Sequence, residues 1–500
     1  MRLQGLFFAT SLQTLGASAS VDQGAAKACR LLKESLPELV YFPGAAQYVN
    51  DTAHWAISSQ QNATCSVEPQ SADDVSTIVK IIGRSDVRAP FAVKSGGHAY
   101  NLGQSSTPGV QVSLTQFTNI SYDAEKETVK IGMGLTWAQV YEYLEPLGVM
   151  VAGGRINPVG VGGLSLGGGY SWKTNQYGLT IDTIVAHELV LPTGEQVHVT
   201  NSSYPDLFFA LRGGLNNFGV VTEITYEAHP QTLVYGGLTT YATDNEAIAL
   251  LNSAASKFSL KSTDPKAQMI VNYASVNGEF IAQTLIFYDG PTPPAGVYDE
   301  FLAIPSVSTN VRTSTFREFM ASSEGALSAD AFGVAQHAIP ITKYTVPVLE
   351  EMIAQVTAFG QRLTEQNNGS SILVVVQPEP FYQPFAHSRG GAYPHSSDRE
   401  LTPACPFIVY SANASDPLDV QQARHDYFVS ELRNFTHLIQ AKAVEEGESR
   451  WDDILYPNYA LVDTPLELVY GGNVPRLRKM AAKYDPERLM TLTGGFRFLD

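Results

Sequence analysis

Apolar residues along the first half of the chain alternate between two periods. Ser71-Ala72-Asp73-Asp74 is a capping box ahead of Val75, Ile78, Val79 and Ile82, a spacing that predicts a helix with one apolar face. Phe91-Ala92-Val93-Lys94 then reads as a strand running into Ser95-Gly96-Gly97-His98, and 110–114 and 128–131 alternate as half-buried strands. Thr136 and Gln139 cap a further helix that Gly148 ends. Residues 189–197 read as a hairpin, Pro205 opens a helix stopped by Gly213-Gly214, and 218–223 resume a strand. From about 232 to 449 glycine thins out, and strand-like runs such as 280–286 and 372–376 alternate with helical segments. This predicts helices packed on one antiparallel sheet. The fold class expected is α+β, with a first domain over 20–231 (core about 61–231) and a second over 232–449. No internal repeat interrupts this order.

Two glycine-rich stretches, 95–98 and 160–169, are what an extended dinucleotide requires. Glycine lets backbone N–H groups approach a pyrophosphate without a Cβ clash, and Lys94 offers a cation beside them. The Rossmann fingerprint does not fit: Gly160-Val161-Gly162-Gly163-Leu164-Ser165 lacks its third glycine in place and its following acidic residue.

Lys94-Ser95-Gly96-Gly97-His98-Ala99-Tyr100, Pro158 to Tyr170 and Arg212 to Thr222 together resemble the berberine-bridge-enzyme-like flavoproteins of the vanillyl-alcohol-oxidase superfamily. Tyr456-Pro457-Asn458-Tyr459, 470–477 and Lys483-Tyr484-Asp485-Pro486 are similar to that group's terminal segment. The resemblance implies a bipartite PCMH-type FAD-binding domain to which residues 450–500 return. It also implies FAD attached through His98, cradled by Lys94, Ser95, Gly96, Gly97, Val159, Gly160, Gly162, Gly163, Gly168, Val221 and Asn458. A neutral imidazole nitrogen suits that attachment, and the link raises the cofactor's oxidising power. Many members have a second link through a cysteine; Ile156 stands at that position here, so a single link is expected. Val159 matches the position facing the oxygen-reacting flavin carbon, and its modest side chain resembles oxidases more than dehydrogenases.

For substrate chemistry the resemblance points to Tyr459, Tyr456 and Tyr170, with Tyr459 the preferred base for the donor's proton. A tyrosine does this only if a cation or hydrogen bonds lower its pKa. Gln377, at the end of the 372–376 run, reads as a satisfied strand residue, and His187 as structural. The expected activity is oxidation of a small alcohol, amine or secondary-metabolite intermediate, with O2 reoxidising the flavin. A carbohydrate oxidase or a flavoprotein cyclase is the alternative. No metal-ligand spacing and no nucleophile elbow supports a hydrolase or metalloenzyme.

A formal net charge of -17 disfavours nucleic acid as a partner, and no 18-residue apolar run suggests a membrane span. Residues 1–19 have the basic, apolar and small-residue order of a secretory signal. Sequons at Asn50, Asn62, Asn119, Asn201, Asn368, Asn413 and Asn434 fit the same route, so a secreted glycoprotein is expected. In an oxidising compartment Cys29 and Cys65 can pair and leave Cys405 alone; three buried thiols is the other reading.

Overall fold

The computed structural model describes residues 23–322, 332–367 and 372–499, so the expected leader 1–19 and the Asn368 sequon lie outside the described residues. A helix over 23–35 is joined by a Cys29–Cys65 disulfide to the first parallel strand of a four-stranded sheet. Cys65–Val67, Val110–Ser113 and Phe91–Lys94 run parallel, and Val40–Tyr41 pairs antiparallel at the edge. The helix Ala72–Gly83 makes the crossover between Cys65–Val67 and Phe91–Lys94. Its capping box is formed: Ser71 Oγ accepts from Asp74 N while Asp74 accepts from Ser71 N at 2.9 Å. The strands are short and mostly buried, as a covered parallel sheet demands.

Five antiparallel strands form the next sheet, in the order Ile120–Asp123, Thr128–Gly132, Val220–Glu227, Ile184–Val190, Gln196–Val199. Between the two sheets the chain makes its second glycine-rich pass. Where the sequence suggests one long loop over 160–169, the structure folds Val161–Leu166 into a short helix with Gly160 at its N-cap.

A nine-stranded antiparallel sheet dominates 234–411, with Asn245–Lys261, Val346–Gln366 and Leu418–Glu445 as its long helices. Period-two alternation divides its faces. Met269 and Ile286 pack among the helices, whereas Ile270, Leu285 and Phe287 pack into the core of the first unit. Residues 380–401, between two strands of this sheet, also bond to the first unit. Arg389 pairs with Glu227, and His395 Nε2 meets Asp182 Oδ1 at 2.9 Å with both side chains fully buried.

Residues 450–499 close the molecule over its first unit. Arg88 Nη1 donates to Glu487 O at 2.7 Å, Asn217 Nδ2 to Phe496 O at 2.9 Å, and Asn101 Nδ2 to Ala460 O at 2.9 Å. Phe496 and Phe498 lie in the first unit's core.

Burial lowers the pKa of His54 and His337 to about 4 and of His187 to about 3. The folded protein resists protonating groups that the unfolded chain titrates near 6.5, so the unfolded state binds more protons between these values. Stability is therefore expected to fall as pH drops from about 6.5 toward 4, each group contributing up to about 1.4 kcal/mol per pH unit. Urea midpoints measured across this range check it; a flat profile would remove these histidines from the acid response.

Candidate functional site

The two glycine stretches meet backbone to backbone. A Cβ built on Gly160 would lie 2.2 Å from Gly96 N, and one on Gly96 would lie 2.5 Å from Gly160 N. Ser95 ties them: its Oγ donates to Met133 O at 2.6 Å and accepts from Gly162 N at 3.2 Å. Gly97 has φ +68°, open to glycine at little cost. Gly163 is exposed, with nothing within 4 Å of its Cβ position. Gly160→Ala is expected to force these loops apart at a cost of about 1–3 kcal/mol. Calorimetry of the variant should show a lower Tm together with weaker flavin retention.

His98 leaves the first stretch with its ring stacked on Trp55, centroids 4.4 Å apart, and edge-on to Tyr100 at 5.6 Å. Its Nε2 is buried without a hydrogen-bond partner. Burial lowers its pKa to about 4, so the imidazole is neutral at ordinary pH. Lys94 differs from the sequence reading. Its side chain packs against Gly97, and its ammonium donates to Asn50 O at 2.8 Å and Ala53 O at 3.0 Å, closing the end of the helix Ala46–Thr52. Burial lowers its pKa to about 8. Val159 is half-buried, with its carbonyl accepting from Trp137 N, and Val221 is buried in the first core opposite Leu189.

The terminal segment supplies the other wall. Tyr456 OH accepts from Gly169 N at 3.0 Å and from Asn458 Nδ2 at 2.9 Å, and Asn458 Nδ2 also donates to Leu164 O at 3.1 Å. A Cβ on Gly168 (φ +129°) would lie 2.9 Å from the Tyr456 ring. Tyr170, Tyr456 and Tyr459 form a chain of rings with centroids 4.9 Å apart at each step. Tyr170 and Tyr456, with Tyr393, Ile339, Pro340 and Leu401, line a narrow apolar cleft.

Two residues not singled out from sequence complete the site. Glu379 is 1% exposed, and its carboxylate accepts from Arg155 Nη2 at 2.6 Å through Oε2 and from Tyr459 OH at 3.1 Å through Oε1. The same Arg155 nitrogen donates to Tyr459 OH at 3.0 Å. Burial raises the Glu379 carboxyl, with Arg155 opposing it. Burial works against the Arg155 charge as well, but Glu379 and Tyr459 outweigh it and the guanidinium stays ionised. Tyr459 departs from the requirement set for a tyrosine base. Burial first, then Glu379, holds it well above 10, and Arg155 only partly compensates. Cys405 is buried and unpaired in any disulfide, and burial first, then the Glu379 charge, raises its thiol pKa.

The residues present fit FAD. The two glycine stretches pack backbone to backbone and leave Gly163 open, and the buried, neutral His98 has a ring nitrogen with no other partner. Ile156 is half exposed at the position where a second link would form and has no chemistry to form it. Among the described residues no cluster suits a metal, and no helix is long and apolar enough to cross a membrane.

Comparison with known proteins supports the FAD domain and the fold. Residues 63–200 match the model of a family described as the FAD binding domain. Across 490 residues the chain is 29% identical to an FAD-dependent monooxygenase of Aspergillus calidoustus, drtC, covering 95% of this chain and 91% of that protein. The wild-type structure of a berberine-bridge-enzyme-like protein of Physcomitrella patens superposes with TM-score 0.71 at 18% identity. That match covers 93% of this chain and 98% of the other. The carbohydrate oxidase of Microdochium nivale superposes with TM-score 0.74 at 17% identity, covering 95% and 100%.

Proposed function

Given that the chain is an FAD-dependent oxidoreductase with the fold of the berberine-bridge-enzyme-like flavoproteins, we propose that it oxidises a small organic substrate with Tyr459 and Glu379 as a proton-accepting pair and O2 as the electron acceptor. The observation that carries this reading is the buried Arg155–Glu379–Tyr459 triangle beside the tyrosine-lined cleft. When bound, FAD supplies the two-electron oxidant that takes hydride from a substrate carbon.

The protein's own part is to hold the substrate and remove a proton. Tyr459 OH already donates to Glu379, so a substrate proton taken by the phenol oxygen can be matched by transfer of the phenol proton to the carboxylate. This relay needs no free phenolate, which burial makes costly. Burial also raises Glu379, making it a stronger base than an exposed carboxylate. Tyr456 is pinned between Gly169 N and Asn458 Nδ2 and acts as a fixed wall.

His98 is the attachment point we propose for a single covalent link, supported by its neutral ring, its unpartnered Nε2 and Ile156 at the second position. Passage through a secretory pathway is part of the same reading. The described sequon residues Asn50, Asn62, Asn119, Asn201, Asn413 and Asn434 are all exposed, and an endoglycosidase mobility shift tests it.

The name of the full-length Aspergillus calidoustus relative favours a second reading, in which one oxygen atom of O2 enters the product. Turnover under 18O2 separates them: label confined to hydrogen peroxide supports the oxidase, and label in the organic product supports the monooxygenase.

A further inference from the structure

Arg155 has donor capacity that the relay does not use. Both of its bonds, to Glu379 and to Tyr459, leave from Nη2, while Nη1 is buried with no hydrogen-bond partner. The guanidinium carbon lies 5.5 Å from the Phe381 ring centroid, 5.8 Å from Trp172 and 6.0 Å from Tyr170, so aromatic faces surround the charge. Trp172 is itself 1% exposed, and its indole Nε1 also lacks a partner. Arg155 Nη1, a buried charged donor without an acceptor, thus belongs to the same guanidinium that bonds the phenol proposed to take the substrate's proton. An unmet buried donor costs about 1–3 kcal/mol, more when charged, so this arrangement calls for an oxygen ligand.

Resting on the relay just described, we propose that Arg155 is the specificity-determining residue, its Nη1 receiving the substrate oxygen that becomes anionic as its proton leaves, so that the substrates are alcohols or acidic hydroxyl compounds rather than amines. The heteroatom decides the sign of the interaction. A hydroxyl that gives its proton to the Tyr459–Glu379 pair develops negative charge, which a guanidinium N–H stabilises best at the moment it forms. An amine arrives as an ammonium and leaves as an iminium, and neither cation has a lone pair on nitrogen with which to accept a hydrogen bond from Nη1. The balance is that of an ordinary alcohol oxidation. The O–H proton ends on Glu379, the C–H bond's electron pair leaves as hydride to the flavin, and the C=O bond forms.

Glu379 also limits how strongly Arg155 attracts an anion, because it neutralises the guanidinium at 2.6 Å. Two substitutions should therefore move anion binding in opposite directions. The probe is benzoate, with benzylamine as its cationic counterpart, titrated into holoenzyme and followed by calorimetry and by the visible flavin absorbance. Wild-type protein is expected to bind benzoate and not benzylamine. Arg155→Met should weaken benzoate at least tenfold, Arg155→Lys should restore part of the loss, and Glu379→Gln should tighten benzoate at least tenfold. Benzylamine bound as well as benzoate, no benzoate binding at all, or unchanged benzoate affinity in Arg155→Met would each overturn the proposal. If Arg155→Met does not fold, Glu379→Gln decides alone: unchanged or weaker benzoate binding overturns it. A relay that fails shows differently, as undiminished turnover in Glu379→Gln with benzoate binding still governed by Arg155.

Discussion

Glu379→Gln is expected to lower kcat by about 10²–10⁴ while the flavin remains bound, the range for losing a positioned general base. The glutamine side chain keeps the volume and a carbonyl acceptor for Arg155, so the main loss is the ability to take up a proton. Tyr459→Phe removes the other half of the relay and should cost a similar factor. Because the two act as one unit, the double variant should fall little further than either single one. The pH profile adds a signed test. Burial places the Glu379 carboxyl above its usual value, and its charged form is the base. Activity should therefore fall as pH drops through that raised pKa, at higher pH than an exposed carboxylate would give. Stopped-flow reduction of the flavin under anaerobic conditions isolates this step. A Glu379→Gln enzyme reduced at the wild-type rate would rule out the carboxylate as base.

His98→Ala is expected to abolish acid-stable flavin altogether. In wild-type protein the yellow chromophore should remain with the acid-precipitated pellet, and a flavin-bearing peptide should map to residue 98 and not to 156. In the variant the flavin should appear in the supernatant. The imidazole, held near 4 by burial, is in its reactive neutral form at any pH above about 5, so attachment in refolded apoprotein should be nearly independent of pH from about 5 to 8. Wild-type flavin released by acid would refute the link while leaving the cofactor site intact.

Local signals in the sequence carried much of the architecture. The Ser71 box, the Gly148 stop and the runs 280–286 and 372–376 depend on neighbours a few residues apart, and each shows in the observed elements. The six-residue helix at Val161–Leu166 was not legible, because glycine-rich sequence argues against helix and the contacts that hold it, from Ser95, Tyr226 and Asn458, are distant in sequence. Lys94 beside two glycines suggested a phosphate ligand; the carbonyls that capture it come from residues 50 and 53, some forty positions earlier. Glu379 was missed by two residues. The apolar run 372–376 drew attention to Gln377 at its end, yet the strand continues to Pro378 and delivers the next residue, a carboxylate between two prolines, to the site. Arg155 left a fainter mark, a lone cation behind Gly153-Gly154. Its bonds to Glu379 and Tyr459 span more than two hundred residues, a separation that no local pattern records.

That residues 450–499 lie over the first unit has a consequence for how the protein is made. Tyr456, Asn458 and Tyr459, and the bonds from 487 and 496 back to Arg88 and Asn217, cannot form until almost the whole chain has left the ribosome. The dinucleotide-binding half, although synthesised first, must wait unfinished with its apolar seams open to chaperones while the residues between 231 and the closing contacts at 456–496 are synthesised. A premature stop shortly before residue 450 would therefore leave no half-active remnant. It would leave a nascent chain unable to close on its cofactor, which cellular quality control should degrade.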